Sequence, residues 1–322
     1  MDMPKAVVII PNLNGLKFLH GVLDSLRRQE CRDFRTILVD NGSTDGSAEY
    51  VEDKYPEVEL IRLKENTGFC FAVNEGIRRS TEPYVILLNN DTAAGKHFVG
   101  EMIAALDAHP HAFSAGAMMR RMDKPNLIDD SGDYYCSLGW AFTMGKGENH
   151  HRFAKPGDVF AACAGAAVYR RSMMEQTGLF DESQFAYLED IDIGWRAKIL
   201  GYRNIYAPGA QVLHYGSGSS GSRYNPFKVT LSARNSIYII YKNMPVFQIL
   251  LNLPFLTAGF TAKAIFFTVR GFGKEYRTGL RDGFALCCTG GNKKVKFRPE
   301  HMVHYIQIQA ELWVNTFRRL MD

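Results

Sequence analysis

In the first third of the chain, short apolar runs alternate with segments whose apolar residues recur every three or four positions. Four apolar runs predict buried β-strands, at residues 6–10, 34–39, 58–63 and 84–88. The three-to-four spacing predicts helices, at residues 16–29, 47–54 and 66–77, and a further one from about residue 96. Strands that alternate with helices of these lengths predict an α/β fold with a doubly wound, mostly parallel sheet.

Polar residues follow three of these predicted strands, at residues 11–15, 40–43 and 89–91. Because the carboxyl ends of parallel strands meet at one edge of a sheet, we expect a ligand site there. Asp40 can accept hydrogen bonds from a base or a ribose, although its surroundings also suit a plain turn. Asp91 and its two neighbouring amides suit a divalent cation that also takes phosphate oxygens, or equally a helix cap.

The apolar pattern loosens after residue 113, where Asp, Gly and aromatic residues dominate. Residues 121–158 predict irregular loop with a hairpin, either the wall of an acceptor pocket or solvated loop. The pair His150 and His151 has no further ligands at metal spacing and is read as a surface pair. Small residues at 160–169 favour a strand or turn that another backbone or a substrate approaches closely.

A helix predicted from Glu189 begins with three carboxylates, those of Glu189, Asp190 and Asp192. The helix dipole alone favours acidic residues in a first turn. However, a carboxylate crowded by others can have a raised pKa and serve as a general base. Downstream, His214 leaves a short strand and enters a Gly/Ser-rich segment, residues 216–221. The histidine is either structural or a metal or phosphate partner, and the segment is either a lid or a linker.

Composition excludes several classes of protein. The 322 residues are 46% hydrophobic and 22% charged, which is ordinary for a globular protein. A net charge of +4 gives no reason to expect a nucleic-acid partner. The six cysteines lack CxxC spacing and no targeting segment precedes the first strand, so we expect reduced thiols in a cytoplasmic protein. No GxGxxG follows the first predicted strand and no GxxxxGK[ST] is present, which argues against the dinucleotide-binding and P-loop classes.

The region 224–322 is different in character, with long apolar and basic segments. Residues 246–269 are long enough to span a bilayer, but Pro254, Gly259 and Lys263 favour an interfacial helix or helical hairpin. Basic residues that follow would attract anionic lipid headgroups; they are Arg270, Lys274, Arg277, Arg281, Lys293, Lys294, Lys296 and Arg298. The alternative is a helical subdomain packed on the catalytic core or on a second copy of the chain.

Several of these motifs together resemble the bacterial, inverting family 2 glycosyltransferases of the GT-A fold. The motifs occur in that family's order over about residues 5–221; they are residues 7–15, 40–45, 65–68 with Asn74, 87–92, 189–196 and His214. The chain most resembles the branch that contains rhamnosyltransferases and related cell-surface polysaccharide enzymes.

The resemblance implies a GT-A catalytic domain over residues 1–223, followed by the helical region 224–322. Within the domain, residues 1–115 would bind the nucleotide-sugar and residues 116–223 the acceptor. Asp91 and His214 would hold Mg²⁺ or Mn²⁺, and Asn89 replaces the first Asp of the family's DxD motif.

Catalytic and binding roles follow from the same resemblance. Asp190 would be the general base, and Glu189 would orient it or bind the acceptor together with Tyr187, Asp192 and Trp195. The donor would contact the polar strand ends and the helix that follows residue 68; these residues are Pro11, Asn12, Asn14, Asp40, Asn41, Gly42, Asn66, Gly68, Asn74, Asn89, Asn90 and Asp91.

The expected function is therefore inverting transfer from a nucleotide-diphosphate sugar, with dTDP-L-rhamnose as the best single donor. The acceptor would be a hydroxyl of a glycan or lipid-linked acceptor in cell-surface polysaccharide synthesis. We expect a peripheral protein at the inner face of the plasma membrane, without a nucleic-acid partner, and a homodimer is open. Two alternatives remain at this point. One is a sugar-phosphate nucleotidyltransferase, whose Gly-rich signature is missing after Ile10, and the other is a non-catalytic nucleotide-binding scaffold.

Overall fold

The computed structural model describes residues 3–216, 224–289 and 293–321. The strands are β1 (Ala6–Asn12), β2 (Phe34–Asp40), β3 (Glu59–Arg62), β4 (Tyr84–Leu88), β5 (Thr92–Ala94), β6 (Ala112–Arg121), β7 (Ile128–Asp130), β8 (Asp133–Cys136), β9 (Trp140–Thr143), β10 (Gly157–Val159), β11 (Ala166–Arg170) and β12 (Arg203–His214). The helices are α1 (Leu16–Arg27), α2 (Ser47–Lys54), α3 (Phe69–Arg78), α4 (Phe98–Ala108), α5 (Arg171–Thr177), α6 (Glu189–Ile199), α7 (Pro226–Asn243), α8 (Val246–Val269), α9 (Gly273–Thr289) and α10 (Met302–Met321).

Strand β1 shows why its residues form the middle of the sheet. Its side chains alternate between two apolar clusters, with Val8 and Ile10 in one and Val7 and Ile9 in the other. Both faces of the strand are therefore covered, which explains a continuous apolar run instead of an alternating one.

The main sheet has the strand order β10-β12-β6-β11-β4-β1-β2-β3, with β5 paired to β12 and β7 paired to β6. Strand β1 is parallel to both β2 and β4, and Asn12 lies opposite Asp40 in the register. Strand β11 is antiparallel to its neighbours β4 and β6. The predicted α/β class with a mostly parallel sheet is confirmed, with antiparallel members that the sequence did not indicate.

Two features of the second half differ from the prediction. The apolar pattern predicts no strand over residues 112–121, yet these residues form β6, which lies between β12 and β11. The boundary at residue 115 between the expected nucleotide-sugar and acceptor halves of the domain falls inside β6, so one continuous sheet joins the two halves. The short strand predicted to end at His214 is the last part of a longer strand, β12, whose register to β6 shifts between Ala207 and Gln211.

The C-terminal helices pack against the sheet domain. One apolar cluster joins Tyr135 and Trp195 of that domain to Ile239 of α7 and Leu312 of α10. By length and composition α8 could cross a membrane, and only 17% of its most apolar window is buried. The Gly/Ser segment at residues 217–221, expected as a lid or linker, lies outside the described residues.

Candidate active site

A cleft of about 720 Å³ opens at the carboxyl ends of β1, β2 and β4. This is the edge at which open α/β sheets bind ligands. Twelve of the predicted site residues line it; they are Pro11, Asn12, Asn41, Asn66, Gly68, Asn89, Asn90, Asp91, Tyr187, Glu189, Asp190 and His214. Residues separated by two hundred positions in sequence therefore share one cavity.

A chain of hydrogen bonds ties the polar strand ends together. Asn90 Nδ2 donates to Asn12 Oδ1 at 2.7 Å, and Asn12 Nδ2 donates to Asp40 Oδ1 at 3.0 Å. The backbone N–H of Ser43 donates to the other oxygen of Asp40 at 3.1 Å. Gly15 permits this close approach, because a Cβ there would lie 2.1 Å from Asn90 Nδ2. The side chains at this edge are thus held in place before any ligand binds.

Three predicted donor-binding residues, Asn14, Asp40 and Gly42, do not line the cleft themselves. Asp40 is 3% exposed, and it contacts the cleft through Asn12. Asn14 accepts a hydrogen bond from the Thr44 N–H at 2.8 Å, which shapes the turn after β2. Gly42 has φ +78° and packs against the backbone of Glu65, in the segment that follows β3. Their placement gives them a supporting position at this edge of the sheet.

The pairing of β5 with β12 brings His214 beside Asp91. Thr92 lies opposite His214 in the register, and His214 Nε2 is 3.3 Å from Asp91 Oδ1. The other ring nitrogen, Nδ1, lies 2.6 Å from Asp129 Oδ2. Burial alone would lower the pKa of His214, but the hydrogen bonds to Asp129 and Asp91 outweigh it and raise the pKa to about 9. In this state the imidazolium bridges two carboxylates.

These residues also fit a divalent cation. A carboxylate oxygen and an imidazole nitrogen that face one another at the cleft wall are acceptable ligands for Mn²⁺ or Mg²⁺, and the metal would displace the proton from His214 Nε2. Asp129 would then orient the ring through its second nitrogen, as carboxylates commonly do for metal-binding histidines. Lys146 Nζ, 2.8 Å from Asp129 Oδ1, places one more positive charge nearby.

A second group of carboxylates lies at the start of α6. Asp190 accepts a hydrogen bond from the Ile191 N–H at 2.7 Å, and burial raises its pKa. Asp133 is hydrogen-bonded to Asp190, and burial raises the pKa of Asp133 well above its usual range. Burial thus raises the pKa of both carboxyl groups, and the hydrogen bond between them holds the two side chains together.

Glu189 differs from Asp190 in its surroundings. Burial and the charge of Asp190 raise the pKa of Glu189 to about 8. Its Oε2 atom is buried, and among the described residues it has no hydrogen-bond partner. A protonated carboxyl at the cleft wall is suited to donate a hydrogen bond to a bound hydroxyl or ring oxygen.

The structure corrects three predicted contacts, because the side chains are buried away from the cleft. Asn74 was expected to bind the donor, but its Nδ2 donates to the Phe180 carbonyl at 2.8 Å. Asp192 was expected to bind the acceptor, but it is fully buried in ion pairs. Trp195 was also expected there, but it packs in the core against Tyr135, with ring centroids 5.0 Å apart.

Two functional candidates were missed in the sequence, Asp129 and Asp133. Both lie in the Asp-rich stretch 129–133, which was interpreted as loop. A short strand, β7, carries Asp129 to His214, and β8 begins at Asp133 beside Asp190. The available signal was the acidic residues on both sides of a Ser-Gly turn, with Asp129 and Asp130 before it and Asp133 after it.

Comparisons with known proteins agree with this geometry. The family model of glycosyl transferase family 2 matches residues 7–178. An N-acetylglucosaminyl-diphospho-decaprenol L-rhamnosyltransferase of Mycobacterium tuberculosis is 31% identical over 231 residues, which cover 63% of this chain and 73% of that protein.

Two solved structures have a similar fold. GalNAc-T7, solved with UDP, GalNAc and Mn²⁺, gives a TM-score of 0.60 at 15% identity and covers 75% of this chain and 48% of that one. A mannosyltransferase of Pyrobaculum calidifontis, solved with GDP-Man and Mn²⁺, gives a TM-score of 0.55 at 18% identity, with 91% and 88% covered. At these identities the likeness shows the fold alone, which is the GT-A fold that the motifs predicted.

Proposed function

Because this chain belongs to glycosyl transferase family 2, we propose that it is a metal-dependent, inverting transferase that moves L-rhamnose from dTDP-L-rhamnose to a lipid-linked glycan. One observation carries the proposal. The Asp91–His214 pair and the Asp190 carboxylate line the same cleft. The relative from M. tuberculosis supports the donor and acceptor, since its name specifies an L-rhamnosyltransferase and a diphospho-decaprenol substrate.

The reaction needs one base and one stabilised leaving group. Asp190 takes the proton of the acceptor hydroxyl, the hydroxyl oxygen forms a bond to C1 of the sugar, and the bond from C1 to the diphosphate breaks. A single displacement of this kind inverts the configuration at C1. Asp91 and His214 would hold Mg²⁺ or Mn²⁺, which when bound supplies positive charge next to the leaving diphosphate.

Each carboxylate near the base has a distinct task in this proposal. Asp133 would fix the orientation of the Asp190 carboxyl group through the hydrogen bond between them. Glu189, neutral near pH 7, would donate to the acceptor through Oε2, which has no partner among the residues that the structure describes. Tyr187 lines the same wall and would contact the acceptor. The nucleotidyltransferase alternative is set aside, because the family match identifies glycosyl transfer.

Transfer assays test the donor, the acceptor and the stereochemistry together. The purified full-length chain would be given dTDP-L-rhamnose, or UDP- and GDP-sugars as controls, with a prenyl-diphosphate-linked N-acetylglucosamine and Mn²⁺. We expect product from dTDP-L-rhamnose with the opposite anomeric configuration, identified by NMR, and loss of activity with EDTA. Product from another donor alone would refute the sugar assignment, and retained configuration would refute the single displacement.

We also propose that α8 contacts the inner face of the membrane. Its apolar residues are exposed although the helix packs on the protein, as shown by Leu250 at 64% and Ile265 at 62%. Arg270 and Lys274 follow immediately and would attract anionic headgroups. A lipid-linked acceptor would bring the enzyme to this surface.

Sedimentation with vesicles tests the membrane contact. We expect the full chain to bind phosphatidylglycerol vesicles more strongly than phosphatidylcholine vesicles, and Leu250→Asp with Ile265→Asp to abolish binding. Met3→Asp, at an exposed apolar residue of the N-terminal segment, is the control and should bind normally. Equal binding by all variants would refute the contact. A dimer that the double variant dissociates would instead identify the face as a subunit interface.

A further inference from the structure

The loop formed by residues 183–188 has an unfavourable backbone conformation directly before the carboxylates of α6. Phe185 has φ 63°, Tyr187 has φ 70° and Leu188 has φ 66°. Residues other than glycine rarely adopt positive φ, and such conformations persist only where surrounding contacts enforce them. Since Leu188 immediately precedes Glu189 and Asp190, the conformation of this 183–188 loop sets where both carboxylates lie.

The side-chain amide of Asn235 in α7 contacts three carbonyls of the 183–188 loop. Its Nδ2 atom lies 3.0 Å from the oxygen of Gln184, 2.9 Å from that of Ala186 and 2.7 Å from that of Tyr187. Asn235 is fully buried. The amide nitrogen has only two protons, so two N–H donors are shared among three carbonyl acceptors that all lie around Asn235 Nδ2.

The neighbouring Arg234 binds the start of the same loop. Its Nη2 atom donates to the carbonyl of Ser183 at 3.1 Å and to that of Gln184 at 2.6 Å. On the other side the loop touches α3, because the Cys70 N–H donates to the Phe185 carbonyl at 3.1 Å. The loop is thus held between the nucleotide half of the cleft and α7.

Further along the same face of α7, polar side chains hold both flanks of this segment. Tyr238 and Lys242 bind Asp181 at 2.9 and 2.8 Å, and Lys242 and Asn243 bind Asp192 at 2.8 and 2.9 Å. These residues recur at the spacing of one helix face. A helix of the C-terminal region therefore anchors the segment from Asp181 to Asp192.

We propose that Arg234 and Asn235 are positioning residues that hold the 183–188 loop in its strained conformation and thereby place Asp190 for proton transfer. The inference rests on the proposed role of Asp190 as the base. Both residues lie beyond the region that the family model matches. Misplacing a catalytic group by about 1 Å costs on the order of a hundredfold in rate, so loss of these hydrogen bonds should act on kcat.

Asn235→Ala in the full chain tests this, with Asn252→Ala as the matched control. Asn252 is also a fully buried amide of a C-terminal helix, but it bonds to Gln309 and Gln248 instead of the loop carbonyls. We expect Asn235→Ala to lower kcat for transfer from dTDP-L-rhamnose about tenfold to a hundredfold, with a smaller change in the donor KM. Hydrogen exchange of peptides covering residues 183–192 should become at least about tenfold faster, as local opening becomes easier. Asn252→Ala should change neither quantity, even if it lowers Tm as much.

Equal loop exchange in both variants, or an equal fall of kcat in both, would overturn the proposal. Arg234→Ala removes two of the hydrogen bonds from a half-buried side chain, and it gives the same readouts should Asn235→Ala not fold. Wild-type chain that transfers nothing from dTDP-L-rhamnose would refute the proposed donor, whereas the exchange rates would still decide whether α7 holds the loop.

Discussion

Replacing Asp192 by alanine separates a structural carboxylate from an acceptor-binding one. Asp192 is fully buried and forms ion pairs with Arg196 and Lys242 at 2.9 and 2.8 Å, and Asn243 donates a further hydrogen bond. Alanine would leave two buried cations short of one counter-charge. Breaking a buried ion pair by removing one partner costs about 3–5 kcal/mol.

That free energy converts into a measurable shift of the melting temperature. Unfolding entropy is about 2.1 cal/mol/K per residue near 60 °C, which for 322 residues is about 0.7 kcal/mol/K. A loss of about 3–5 kcal/mol therefore lowers Tm by roughly 4–7 °C. Asp158→Ala, which breaks the exposed pair with Arg203, is the control and should cost about 1 °C or less.

The same variant has a predicted pH dependence. Burial would raise the pKa of Asp192, but the charges of Arg196 and Lys242 and the hydrogen bonds outweigh it and lower the pKa. A carboxylate with a lowered folded-state pKa stabilises the fold above its unfolded pKa, near 3.9, and loses this contribution as pH falls further. The difference in Tm between wild type and Asp192→Ala should therefore narrow below about pH 4.

Differential scanning calorimetry across pH, combined with acceptor titrations, tests whether Asp192 has a structural role or binds the acceptor. A Tm unchanged within about 1 °C, together with a raised acceptor KM, would refute the structural role and restore Asp192 to the acceptor site.

Three other outcomes follow from the geometry. Asp190→Asn should lower kcat by about 10²–10⁴, while dTDP-L-rhamnose should still raise Tm; undiminished turnover of the variant would reject the base assignment. Because burial raises the pKa of Asp190, the activity of the wild type should begin to fall at a higher pH, on acidification, than it would with a free carboxyl group as the base. His214→Ala should abolish the Tm increase that Mn²⁺ with dTDP gives in wild type, and an equal increase in the variant would exclude this ligand. Gly259→Ala places a Cβ 2.1 Å from the Leu138 carbonyl oxygen in the β8–β9 hairpin. It should lower the free energy of unfolding, measured in urea, by about 1–3 kcal/mol. Gly21→Ala, where a Cβ meets open space, is the control and should not destabilise the chain.

Much of the nucleotide half of the cleft was predictable because its signals are local. An apolar run that stops abruptly in polar residues indicates both a strand and the position where the strand ends. Three such runs stop at Pro11-Asn12, Asp40-Asn41 and Asn89-Asn90. Parallel pairing then brings these ends together, as the register of Asn12 with Asp40 confirms. The acidic start of α6 and His214 stood out in the sequence as well, and the motif resemblance assigned roles to them.

The rest depended on contacts that no local pattern expresses. Strand β6, with the sequence AFSAGAMMRR, lacks β-branched residues and is a strand because β11 and β12 pair with it on both sides. Acidic residues look alike in sequence, so Asp192 and Asp129 were misjudged in opposite directions. Asp192 is paired with Lys242 and Arg196 in the core, whereas Asp129 lies in the site because it contacts His214.

The pairing of Thr92 with His214 also affects how the protein is made. Strands β1, β2 and β4 are complete once residue 88 has been synthesised, so the polar strand ends can assemble early. His214 is translated well over a hundred residues later, at about 5–20 residues per second, and only then can it join Asp91. During synthesis the nascent chain therefore carries a partly formed cleft whose edge strands are unpaired, an arrangement that is prone to aggregation. Chaperone binding during translation should be strongest before β12 emerges from the ribosome.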